Sequence, residues 1–121
     1  MVLVDTSSWI HMLRSDGDTS VRARVESLLE AGTACWCNMV RLELWNGASE
    51  RDRKALLDFE RHLPELPISD EVWGAAFTLA QKARKAGATI PAPDILIAAC
   101  ARFHNAAIEH SDSDFDRLEN L

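Results

Sequence analysis

Short apolar runs, separated by stretches of helical periodicity, are what most limits how this chain folds. Val2–Val4, Thr33–Cys37, Leu66–Ile68 and Ala106–Ile108 each suit one buried strand and are too short for a helix. Between them apolar residues recur at the spacing of a helix with one buried face. Parallel strands need a crossover, and the intervening helices supply it, so the pattern predicts an α/β fold with a mostly parallel sheet. At 121 residues, with no repeat or linker, the chain is expected to form one domain over residues 1–121.

The helix ends are marked by their chemistry. Thr6 or Ser7 is the expected cap of a first helix that turns Trp9, Ile10 and Leu13 inward and stops at Ser15–Gly17. A second runs from about Ser20 to the Gly32 stop, and a third, capped by Asn38, from Met39 to about Ala48. A fourth, Arg51–Leu63, ends at Pro64. Ser69 caps the fifth, whose Asp70 and Glu71 at one end and Lys82, Arg84 and Lys85 at the other complement the helix dipole before Gly87 stops it. After the Ile90–Pro93 corner, Asp94 opens a very apolar helix to about His104, and Ser113–Asn120 forms the last. By spacing, Trp9, Trp36, Trp45 and Trp73 read mostly as core. Cys35, Cys37 and Cys100 read as buried free thiols, an odd set that suits a reducing compartment. The first residues lack the pattern of a secretory signal, so a cytoplasmic protein is expected.

In parallel sheets ligands collect at the carboxyl ends of strands and the helix starts that follow. Acids stand at three such junctions: Asp5 after the first strand, Asp94 in a first helical turn, and Asp112 with Asp114 after the last strand. Glu43 lies inside the third helix on an apolar stripe, where an unpaired carboxylate costs several kcal/mol. A metal ion shared with the other acids would supply the missing charge. Carboxylates without Cys or His at ligand spacing favour Mg²⁺ or Mn²⁺ over zinc, and the usual substrate of such a site is a phosphate ester. The net charge of −6 disfavours holding nucleic acid by charge alone, but not a protein that brings its positive charge as a bound ion. Each acid also has a plain structural reading. Asp5 can cap a helix, Asp94 can complement a dipole, Glu43 can reach water, and Asp112 and Asp114 can be solvated loop acids. Their joint placement at strand ends favours function.

These residues resemble the motifs of the PIN-domain family, in the form seen in VapC toxins of toxin–antitoxin pairs. Val2-Leu-Val-Asp5-Thr-Ser-Ser-Trp-Ile is similar to the first motif, and Arg41-Leu-Glu43-Leu with Gly47 to the second. Ile90-Pro-Ala-Pro-Asp94-Ile-Leu-Ile-Ala-Ala resembles the third, and His110-Ser-Asp112-Ser-Asp114-Phe-Asp116 the fourth, in order along nearly the whole chain. The resemblance implies a three-layer fold, a parallel five-stranded sheet between helices, with an acidic pocket at one edge. It implies one or two Mg²⁺ ions (or Mn²⁺) and endonucleolytic cleavage of RNA. Asp5, Glu43, Asp94 and Asp112 match the metal-binding acids, Asp114 matches a less uniform ligand, and Ser7 matches a hydroxyl that orients the first acid or a water. His110 stands where the family commonly shows Thr. The resemblance also implies an antitoxin partner and a homodimer within that complex. A groove between the first helices, with Trp9, Ile10, Leu13 and Trp45, is the expected antitoxin seat.

Other readings fare worse. A phospho-receiver module needs a paired early acid and a late Lys, yet Asp5 has no acidic neighbour and no Lys follows Lys85. An aspartate-nucleophile phosphatase needs a second acid where Ser7 stands. A non-catalytic PIN-like binding module conflicts with the intact acidic set. The His110-Ser111-Asp112 run has no nucleophile elbow. The basic clusters at Arg51, Arg53 and Lys54 and at Lys82, Arg84 and Lys85 read as solvated helix faces.

Overall fold

The computed structural model describes every residue from Met1 to Leu121. Its elements in order are β1 (Val2–Val4), α1 (Thr6–Leu13), α2 (Thr19–Glu30), β2 (Ala34–Cys35), α3 (Asn38–Asn46), α4 (Glu50–His62), α5 (Asp70–Lys85), α6 (Ala92–Phe103), β3 (Ala107–Glu109) and α7 (Ser113–Leu118). The sheet order is β2-β1-β3, all parallel. Val2 pairs with Ala34 on one side and with Ala107 on the other. The chain thus crosses from β1 to one neighbour and later returns to the opposite side of β1. That reversal opens a crevice at the carboxyl ends of the strands.

The sheet has three strands where five were expected. Leu66–Ile68 does not become a full strand; a single parallel bridge joins Trp36 to Glu65. The cause is local. Pro64 and Pro67 flank the segment and have no N–H, so only Trp36 N–H to Pro64 O (3.2 Å) and Leu66 N–H to Trp36 O (2.8 Å) form.

Two caps differ from expectation, those of α1 and α3, and two more stand where none was named. Asp5 itself caps α1, Asp18 caps α2, and Ser49 with Asp52 forms a capping box at the start of α4. Cys37, not Asn38, occupies the N-cap position of α3. Gly32 and Gly87 follow α2 and α5 with φ of +70° and +73°, the left-handed stop that glycine accepts without strain.

The buried apolar side chains form one cluster. Helix α6 runs through it, with every residue from Asp94 to Ala101 buried, which explains its unbroken apolar sequence. Trp9 is fully buried and packs on Trp36 and Phe59, with ring centroids 5.9 and 5.0 Å away. Trp73, expected as core, is instead 44% exposed and lies beside Phe77 on the outer face of α5. The α1–α2 turn is set by a close approach: a Cβ on Gly17 would stand 2.1 Å from the His11 carbonyl oxygen. Gly17→Ala therefore forces backbone to move. It is expected to cost ~1–3 kcal/mol, read as a lower urea midpoint with an unchanged slope.

Candidate active site

Each acid reaches the crevice by a different local rule. Asp5 leaves β1 and turns back to cap α1, its Oδ2 accepting the Ser7 N–H at 2.9 Å and the Ser7 hydroxyl at 2.6 Å. The same hydroxyl accepts the Ser111 N–H at 2.9 Å. One small side chain thus orients Asp5 and ties the end of β1 to the loop after β3. Asp112 caps α7 by accepting the Asp114 N–H at 2.9 Å, and its own N–H donates to His110 Nδ1 at 3.3 Å. The His110 ring leans on Phe115, with centroids 5.1 Å apart. Asp94 sits in the first turn of α6. A helix that precedes a parallel strand runs antiparallel to it, so the start of α6 lies at the same end as the exit of β3.

The ligand oxygens of Asp94, Asp112 and Asp114 lie within 4.8 Å of one another. Asp114, expected to be the least direct of the set, belongs to this trio. Asp5 and Glu43 stand outside it, and their charges still act on it. Burial first, then the hydrogen bond with Asp114, then the charges of Asp112, Asp5 and Asp114 push the Asp94 carboxyl up to about 7. Glu43 is also raised, chiefly by burial and then by Asp5 and Asp112, while the Thr6 hydroxyl pulls it back down. That hydroxyl donates to Glu43 Oε1 at 2.8 Å. Arg41, the cation nearest in sequence, pairs with Glu60 (2.8 Å) and Glu65 (2.6 Å) instead. Buried Asp5 Oδ1 has no partner at all.

An oxygen-only donor set, one orphaned carboxylate oxygen and a carboxyl that holds its proton to neutral pH fit a hard divalent cation better than they fit a solvated acidic face. Asp94, Asp112 and Asp114 would hold it, with Asp5 and Glu43 beside them.

The profile of the PIN domain matches residues 2–121. The chain belongs to the PIN-domain family. The relatives of this PIN domain include Ribonuclease VapC11 of Mycobacterium tuberculosis and VapC ribonuclease Mb1587 of Mycobacterium bovis. Each is 36% identical over 129 aligned positions, covering 100% of this chain and 96% of the relative. Ribonuclease VapC21 of Mycobacterium tuberculosis is 32% identical over 82% of the chain and 75% of its own length. Among solved structures, VapBC2 from Rickettsia felis bound to a promoter DNA fragment matches at a TM-score of 0.79 and 23% identity, covering 100% of this chain and 96% of that one. FitAcB from Neisseria gonorrhoeae matches at 0.77 and 20%, covering 98% and 94%. The PIN-like α/β fold is therefore shared beyond close sequence relationship.

Beside the acids the PIN domain carries a groove between α1 and α3, lined by Thr6, Ile10, Leu13, Arg14, Glu43 and Leu44. Ile10 and Leu13 line it. Trp9 does not, because it has no exposed surface. Nor does Trp45, whose indole N–H donates to Glu60 at 2.9 Å and turns the ring toward α4. Two residues at the pocket carried no sequence signal. Thr6 was expected only as a cap, and its partner lies 37 positions away. Arg117 was not expected at the site, yet it reaches Asp114 Oδ1 at 3.4 Å.

Proposed function

We propose that this PIN domain is a metal-dependent endoribonuclease acting as the toxin of a type II toxin–antitoxin pair. The convergence of Asp94, Asp112 and Asp114 beside Asp5 and Glu43 carries the reading, and the ribonuclease names of its relatives agree with it. Bound Mg²⁺ or Mn²⁺ would neutralise phosphate charge and activate water for attack on phosphorus.

The chain's own residues do the rest. Ser7 fixes Asp5, and the Asp112 cap fixes the loop that brings Asp114 to the trio. Thr6 occupies Oε1 of Glu43 and leaves Oε2 to take a proton from the attacking water. The buried walls around Asp94 limit competing solvent and strengthen each charge interaction inside.

The same geometry suggests how the nuclease is silenced. A partner segment that seats apolar side chains on Ile10, Leu13 and Leu44 arrives beside Glu43. An Arg on that segment could bridge two carboxylates and compete with the metal. The cognate antitoxin is the proposed occupant, with the toxin as a homodimer in the complex. The deciding test is cleavage of mixed-sequence RNA by the purified chain. Fragments are expected in Mg²⁺ or Mn²⁺ and none in EDTA. Intact RNA at every metal concentration would remove the proposal.

A further inference from the structure

Of the chain's ion pairs, the one made by Arg117 is the only one to a site acid. The other ion pairs join Arg24 to Glu109, Arg41 to Glu60 and Glu65, and His110 to Asp116. Arg102, the other arginine near α7, spends its guanidinium on the carbonyls of Leu118 and Leu121. Arg117 is bound less firmly. Its Nη1 lies 3.4 Å from Asp114 Oδ1 and 3.3 Å from the Thr89 carbonyl oxygen, both long for a charged donor, for which about 2.7–2.9 Å is usual. Nε and Nη2 make no hydrogen bond, so three of the five guanidinium N–H groups are unspent. The side chain is 46% exposed and reaches from Asp114 to the Thr89 carbonyl, just before the corner that leads to Asp94.

We propose that Arg117 binds a phosphate of the RNA strand beside the acidic pocket. This rests on the ribonuclease reading and adds to it the residue that meets the strand. A chain of net charge −6 repels a polyanion overall, so a loosely held cation beside the acids has a large local effect. Its planar fork matches two phosphate oxygens. Were the charge of Asp114 taken up by a bound metal ion, that carboxylate would hold Arg117 less and leave its fork free to meet substrate.

The alternative is a brace, in which Arg117 only fastens α7 to the Thr89 corner. The two roles separate in one experiment. Binding of a fluorescein-labelled, mixed-sequence single-stranded RNA is followed by anisotropy in Ca²⁺ across a salt series, for the wild type, Arg117→Gln and Arg117→Lys. A phosphate contact predicts about tenfold weaker binding for Arg117→Gln, a slope of log affinity against log salt that is smaller by about one, and an unchanged melting temperature. Arg117→Lys keeps the slope and most of the affinity. Equal affinity and slope in the wild type and Arg117→Gln overturn the proposal. So does a loss that Lys does not restore and that comes with a lower melting temperature, and so does a wild type that binds no RNA. A wild type that binds RNA through Arg117 but never cuts it in Mg²⁺ leaves the contact standing and removes the nuclease reading instead.

Discussion

Replacing Asp94 with Asn is expected to lower RNA cleavage in Mg²⁺ about a thousandfold while the chain stays folded. Asn keeps the volume and one oxygen, so the packing around the start of α6 survives. What disappears is the charge that Asp94 would bring to a metal ion held with Asp112 and Asp114. A metal ion supplies several kcal/mol of transition-state charge stabilisation, and losing about 4 kcal/mol of it corresponds to the stated factor. Asp5→Asn should act in the same direction, since Asp5 presses on both Asp94 and Glu43 from the end of β1. Folding is checked by circular dichroism and activity by initial rates on the same preparations. Near-normal cleavage by folded Asp94→Asn would show that the trio is a structural acid cluster and that the chemistry lies elsewhere.

What the sequence made legible follows a physical division. Asp94 and Asp112 could be placed together, with Asp5 near them, because each sits at an element boundary, and boundaries are marked by local chemistry: a strand ending in an acid, a proline corner, a capping residue. Parallel topology then gathers such boundaries at one end of the sheet. Residues whose role depends on a distant partner left no such mark. Thr6 reads as a helix cap until α3 brings Glu43 within 2.8 Å. Arg117 reads as one more basic residue at a helix end until α7 packs beside the Thr89 corner.

The two tryptophans expected in the groove are missing from it for different reasons. The spacing of Trp9 is equally that of a core or a groove residue, and Trp36 with Phe59 draws it fully inside. Trp45 is turned away by a single hydrogen bond to Glu60. The Leu66–Ile68 strand was lost to Pro64 and Pro67, which remove N–H groups a ladder needs. Their effect on pairing could have been weighed from sequence.

The same crowding of charge that suits a metal ion should make the metal-free protein less stable as pH rises toward neutrality. In the folded chain Asp94 keeps its proton to about pH 7, against an ordinary value of 3.8. Between those values the folded state binds more protons than the unfolded state, so unfolding free energy falls with rising pH and levels off above about 7. Glu43 is shifted in the same sense and adds to the slope. The difference at Asp94 sets a ceiling of about 4 kcal/mol, and because its proton is shared with Asp114 the expected loss is nearer ~2 kcal/mol. About half of that loss falls above pH 5.5, so in EDTA it should appear as a melting temperature lower at pH 7.5 than at pH 5.5 by roughly 3–5 °C.

Two controls tie the effect to the site. Asp94→Asn cannot ionise there, so its melting temperature should change little over the same interval and should match or exceed the wild type at pH 7.5 without metal. Mg²⁺ binds the ionised acids of the folded state only, and at a hundred times its dissociation constant should return about 2.7 kcal/mol to the wild type at pH 7.5. It should return much less at pH 5.5, where protons compete for the same oxygens. If the wild type in EDTA melts alike at both pH values, or if Asp94→Asn shows the same fall, the acids do not hold one another's charge in check. A preformed metal site would then have to be abandoned, whatever the cleavage assay had shown.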